Sequence, residues 1–110
     1  MSESTIDLSK ATQDLVGLIA TQPGAVVSRV LVNKPAGTVT LFAFDVGQGL
    51  SEHTAPYEAL VHILAGEADV RIAAEDHRVS AGHILLLPAN IPHAIQAHTE
   101  FKMLLTMIRA

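Results

Sequence analysis

From residue 25 onward the chain alternates short β-branched and aliphatic runs with clusters of turn formers. The runs occupy 25–32, 38–44, 59–64, 68–72, 77–80, 83–87, 94–97 and 101–108. Between them lie Lys34-Pro35-Ala36-Gly37, Gly47-Gln48-Gly49, Ala65-Gly66-Glu67 and Ala81-Gly82. Apolar runs of this length bounded by glycine and proline predict strands joined by turns. About eight of them with no helical pattern between predict an all-β antiparallel sandwich or barrel, of which the jelly roll is the eight-stranded member. Ahead of this series, residues 7–19 predict a short helix with Asp7 or Ser9 as N-cap and Leu15, Leu18 and Ile19 along one side. Gln22-Pro23-Gly24 breaks it. Repeats, low-complexity tracts and linkers are absent, so the expected organisation is an N-terminal segment, 1–24, and one β barrel, 25–110.

One run departs from the alternation of a half-solvated strand. In 59–64, Ala59, Val61 and Ile63 fall on one face, and Leu60, His62 and Leu64 on the other. A strand with two apolar faces is covered on both. Leu60 and His62 are therefore expected in the contact of a homodimer, and the composition agrees: 49% hydrophobic against 16% charged residues is more apolar material than one small barrel needs. The net charge of −4 and the scatter of seven basic residues exclude nucleic acid and anionic membrane as expected partners. Without cysteine there is no thiol catalysis and no thiolate metal site. No apolar run approaches the roughly 20 residues of a membrane span, and the start Met1-Ser2-Glu3-Ser4-Thr5 lacks the layout of a signal peptide, so a cytoplasmic location is expected.

Two histidines stand in glycine frames. The first is Gly47…His53…Gly66; the second runs Gly82…Pro88…His93. Their spacing resembles the two motifs of the cupins, Gly-x5-His-x-His-x3-Glu-x6-Gly and Gly-x5-Pro-x-Gly-x2-His-x3-Asn, and both frames fit without an insertion. The resemblance, to small single-domain cupins of the RmlC-like, cupin_2 conserved-barrel type, covers residues 25–108. It implies a double-stranded β-helix, the jelly-roll barrel, with a site inside its mouth. The family's metal ligands are half present, because its second His falls on Ala55, its Glu on Ala59 and its final Asn on Ala97.

In the family's motif the positions of His53, Ala55, Ala59 and His93 converge inside the barrel. By the two-residue period of a strand, Val61, Ile63, Ile95 and Ala97 share that face. His53 and His93 are then the candidate metal ligands, imidazoles suited to Fe, Mn, Ni, Cu or Zn. Glu58 is the nearest carboxylate that a bulge could turn inward, with Asp45, Glu52 and Gln48 behind it, although a strand-end Glu is ordinarily solvated. His62 and His98 are expected to face outward, His77 and His83 to lie at the surface, and Met103 and Met107 to pack with Phe101 and Leu105 in the core.

Three functions are compatible with this set. The first is a small-molecule pocket lined by His53, Val61, Ile63, His93, Ile95 and Met103, with a divalent metal held weakly if at all. The second is a metal-dependent oxygenase or isomerase with a reduced ligand set. The third is a metal-free, sugar-epimerase-like enzyme with a His base, for which Tyr57 and Glu58 are the nominal acid and orienting carboxylate.

Overall fold

The structure, a computed structural model, describes residues 7–109. Nine strands follow a single 3₁₀ turn: β1 (Val26–Lys34), β2 (Gly37–Phe44), β3 (Gly49–His53), β4 (Glu58–Ala65), β5 (Glu67–Ile72), β6 (Glu75–Ser80), β7 (Ile84–Leu87), β8 (His93–Ala97) and β9 (Phe101–Ile108). All pairings are antiparallel. They form a five-stranded sheet in the order β1-β2-β9-β4-β7 and a four-stranded sheet in the order β3-β8-β5-β6. Only β1–β2 and β5–β6 pair with their neighbours in sequence. Every other pairing joins distant segments, which is the wrapping of a jelly roll.

Eight of the strands follow the apolar runs. The ninth, β3, begins inside the expected turn at Gly49 and carries one large apolar residue, Leu50, which packs on the core. As an edge strand with four of its five residues exposed, it has no need of apolar alternation.

The expected helix over 7–19 shrinks to the 3₁₀ turn Val16–Leu18. Asp7 caps only a local turn, accepting from the backbone N–H of Ser9 at 3.0 Å, and a short, polar segment gains too little from helical hydrogen bonds to hold a longer helix. Its apolar side nevertheless packs as a unit. Ile19, with Leu15 and Leu18, lies against Leu41, Ala43, Leu64 and Leu104 on the outer face of the five-stranded sheet. Two cations fasten it there: Arg29 Nη1 donates to the Leu18 carbonyl at 2.9 Å and Lys102 Nζ to that of Val16 at 2.8 Å. They satisfy carbonyls that so short a turn leaves without partners.

Between the sheets the core is filled rather than hollow. Phe44 and Phe101 stack with centroids 4.4 Å apart, and Val61, Ile63 and Met103 have no exposed surface. Gly66, which closes the first motif frame, has a physical reason to be glycine. Its φ is +76°, and a Cβ there would stand 2.1 Å from the Glu100 carbonyl oxygen.

Candidate functional site

β3 and β8 pair so that His53 and His93 are direct cross-strand partners, with Ile72 of β5 on the far side of His93. The imidazoles meet edge to face, their centroids 4.4 Å apart and their planes at 69°. Nε2 of one lies 3.1 Å from Nε2 of the other. His93 is buried at 6% exposure, whereas His53 is exposed, so the pair sits at the rim with one ring beneath the other.

Alternation alone does not bring them together. Leu50 pairs with Ile95 and packs on the core. A period of two from Leu50 directs Glu52 inward and His53 outward. The register shifts between Leu50 and His53, where Ser51 and Glu52 together oppose Ala94. This bulge advances the phase by one residue and turns His53 onto the face of His93.

The ring hydrogens follow from the contacts. His53 Nδ1 lies 2.7 Å from the Ser51 carbonyl oxygen, and His93 Nδ1 lies 3.2 Å from that of Ile91. Carbonyl oxygens only accept, so both Nδ1 atoms carry hydrogen and both Nε2 atoms present lone pairs to one another. Three contacts call for three hydrogens, and two neutral rings carry two. A proton, a donor group of a ligand or a cation between the Nε2 atoms completes the set. Burial opposes the proton at His93: desolvation holds its pKa below the ordinary imidazole value, the Ile91 carbonyl works the other way, and the charge of His53 adds to the lowering.

The other motif positions add no donor. Ala59 and Ala97 are buried and Ala55 is half-buried. Ala55 instead contributes its carbonyl oxygen, which accepts from the Asn90 N–H at 2.7 Å. Asn90 occupies the motif's glycine position with φ +64°, a left-handed conformation that asparagine tolerates. No group of three or more His, Asp or Glu side chains close enough to share an ion occurs among the described residues. Two nitrogens 3.1 Å apart can both reach one ion at the usual bond length of about 2.0–2.1 Å. The donor set therefore fits a two-point site and does not fit a resident centre of three or four protein ligands.

The remaining candidates fall elsewhere. Val61, Ile63, Ile95 and Met103 lie in the packed core cluster with Phe44 and Phe101, below the histidine pair. Glu58 is exposed on the face of β4 opposite Ala59. Asp45 is absorbed by a turn, accepting from Gly24 N–H at 2.7 Å and Val46 N–H at 2.9 Å. His98 approaches Asp69 at 3.7 Å and His77 approaches Glu75 at 3.8 Å. His83 is exposed beside the carbonyls of Ser80 and Ala81. Tyr57 is 37% exposed in the turn before β4.

Comparison with known proteins agrees with this geometry. Residues 40–109 match the Cupin_2 family, described as a cupin domain. A conserved protein of unknown function from Streptococcus pyogenes is 33% identical, with a TM-score of 0.88 over 100% of this chain and 98% of that one. A cupin superfamily protein from Desulfitobacterium hafniense is 30% identical (TM-score 0.83, 86% of each chain). A cupin 2 conserved barrel domain protein from Leptotrichia buccalis is 41% identical (TM-score 0.82, 86% of this chain and 46% of that one). No curated protein matches the chain. With both histidines of the motif frames facing each other across β3 and β8 of a jelly roll, and with the family's own pattern matched from residue 40 to 109, the chain belongs to the cupin family.

Proposed function

We propose that this small cupin is a small-molecule-binding protein whose site is the His53–His93 pair at the barrel rim. The observation that carries it is the pair of facing Nε2 atoms, 3.1 Å apart, with both Nδ1 atoms already engaged by carbonyls. Such a pair is a double acceptor. It takes a hydroxyl or ammonium hydrogen of a ligand, and it holds a divalent transition metal by two nitrogens alone, hence weakly. Exposure of His53 gives access, and burial of His93 sharpens the demand for a donor, since an unpaired polar atom costs most where water is excluded.

The two enzymatic alternatives have less support. A metalloenzyme needs a third ligand where this chain has Ala55, Ala59 and Ala97. A histidine base needs an orienting carboxylate, yet each Nδ1 is held by a backbone carbonyl and Glu58 is on the opposite strand face.

The test is nitrogen-detected NMR of the imidazole rings, first in the free protein and then with Zn²⁺ and a panel of small alcohols and amines. The Nδ1–H tautomer is expected for both rings, with Nε2 shifts of both on Zn²⁺ addition and a saturable response to at least one alcohol or amine. A response of one ring alone, or of neither, overturns the proposal.

The same proposal includes a symmetric dimer through the outer face of the five-stranded sheet. The N-terminal segment covers Leu41, Leu64 and Leu104 there. The next register row, Leu86–Leu60–Thr106–Val39–Val32, crosses all five strands. Leu86 and Val32, at its two ends, are 45% and 38% exposed, and Ile84 beside it is 62% exposed. A second copy related by a two-fold axis covers such a row with its equivalent.

A further inference from the structure

The four-stranded sheet has a second polar concentration, on the face away from the histidine pair. Strand register places Gly49, Gln96, Asp69 and Arg78 in one outward row, and Ala94, Arg71 and Asp76 in the next. The two halves of this surface differ in height. β3 and β8 contribute Gly49, Ser51 and Ala94, which have little or no side chain, while β5 and β6 raise a ladder of long charged groups. The step between them is an open cleft of about 420 Å³, within the roughly 300–1,000 Å³ usual for small-molecule sites.

The walls are fixed before any ligand arrives. Arg71 bonds Asp76 through two points, Nε–Oδ1 at 2.8 Å and Nη2–Oδ2 at 3.3 Å. Arg78 holds Asp69 likewise at 2.9 and 3.4 Å. These are cross-strand partners in direct register, so each fork keeps its side chain upright on the sheet. Arg71 Nη1 makes no hydrogen bond to protein among the described residues, so one edge of the guanidinium still has donors to offer. The carboxylates of Asp76 and Asp69 retain lone pairs beyond those the arginines use.

Charge narrows the ligand. Asp69, Asp76 and the nearby Glu52 outnumber Arg71 and Arg78, so the cleft has no positive excess to attract a phosphate or a polycarboxylate. What it presents is a fixed donor beside a fixed acceptor. A hydroxyl satisfies both at once, accepting from Arg71 or the Gln96 amide and donating to Asp76 or Asp69. We infer that this outer cleft binds a neutral polyhydroxylated small molecule, a monosaccharide or a cyclitol, through Arg71, Asp76, Asp69 and Gln96. The inference is independent of the histidine pair, from which the sheet itself separates it.

Backbone amide NMR of the whole chain, titrated separately with glucose and myo-inositol, tests it. At least one of the two is expected to give saturable shifts at Gly49, Ser51, Ala94 and Gln96, with millimolar affinity and no shift at His53 or His93. Two variants bear on it: Ala94→Leu, which fills the step, and Arg71→Met, which removes the free donors from an exposed position. Either is expected to weaken the response by about fivefold or more, the scale of one net hydrogen bond. The inference is overturned if neither polyol shifts these amides at saturating concentration, or if inorganic phosphate shifts them and the polyols do not. It is also overturned if the polyols shift only His53 and His93, which would leave the rim site standing.

Discussion

His53 gives its Nδ1–H to the carbonyl of Ser51, two residues back, at 2.7 Å, and Ser51 belongs to the bulge that turns His53 inward. One irregularity thus sets the direction of the ring and its tautomer. It also separates the roles of neighbouring residues: His53 goes to the barrel face, while Ser51 borders the outer cleft.

Removing one residue of the bulge therefore has a specific effect. Deletion of Glu52 removes the bulge and restores strict alternation against β8, with Ser51 opposite Ala94 and His53, now two residues after Leu50, still on the inner face opposite His93. β3 is an edge strand whose only core contact is Leu50, so the fold is expected to survive, with thermal unfolding close to that of the parent. Zn²⁺ affinity, read by ring NMR, is expected to fall by no more than about tenfold, since both ligands stay and only the support of His53 Nδ1 by the Ser51 carbonyl is lost. A folded deletion variant in which His53 no longer responds to Zn²⁺ would show that alternation from Leu50 does not set the direction of His53.

Stability should depend on pH through His93. Its pKa is lowered in the fold, chiefly by burial, so the unfolded chain binds a proton more readily than the folded one. Stability linked to this group is complete above the unfolded value of about 6.5 and is lost as pH falls from there toward and below the folded value. The slope it adds is at most about 1.4 kcal/mol per pH unit. Urea unfolding from pH 7.5 down through the acid range is expected to show this decline, and His93→Asn to flatten it. An equally steep decline in the variant would assign the effect to other groups.

How much of this was legible in the sequence depended on where side chains had to be apolar. The strands that build the core announced themselves through Val61, Ile63, Ile95, Phe101 and Met103, because a buried face tolerates little else. Gly66 and Pro88 fixed the motif frames, and the alignment placed His53 and His93 together. β3 left no apolar signal, since an exposed edge strand needs none, and the bulge at Ser51–Glu52 has no glycine or proline to mark it. The helix over 7–19 was overestimated for the opposite reason. Leu15, Leu18 and Ile19 are spaced as a helix would space them, but a surface segment can bury the same three residues from a single turn followed by extended chain. On the second apolar face of β4, Leu64 packs under the chain's own N-terminal segment, while Leu60 and His62 are half-buried in the single chain. The outer cleft was invisible, because it depends on which strands lie side by side.

Replacing Leu60 by Arg probes the dimer. Leu60 stands mid-row between Thr106 and Leu86, one row from the residues that Leu15, Leu18 and Ile19 pack against. In a monomer the new guanidinium can reach water from this half-buried position, whereas in a dimer it meets its symmetry mate across the contact, and burying unpaired like charges is costly. Light scattering at micromolar concentration is expected to show a dimer for the parent and a monomer for Leu60→Arg. A monomeric parent under the same conditions sinks the dimer outright.

The sharpest test of the rim site is to give back what it lacks. Protein purified without added metal is expected to hold well under one equivalent, because among the described residues no third His, Asp or Glu joins His53 and His93 and two ligands gain little against the water an ion must shed. The double variant Ala55→His, Ala59→Glu supplies the two missing motif donors. Ala59 is only 6% exposed and faces the core, so its carboxylate is buried at a cost when no cation accompanies it. The variant should therefore melt below the parent in chelator and recover when Zn²⁺ is added, since an ion that binds only the folded state stabilises it by mass action. Its Zn²⁺ affinity should rise by roughly two orders of magnitude as the shell approaches four ligands. If the folded variant binds Zn²⁺ no better than the parent, Ala55 and Ala59 do not face the pair. If the parent itself carries one equivalent of transition metal through dialysis against chelator, a metalloenzyme takes precedence over a binding protein, with a ligand that these side chains do not supply.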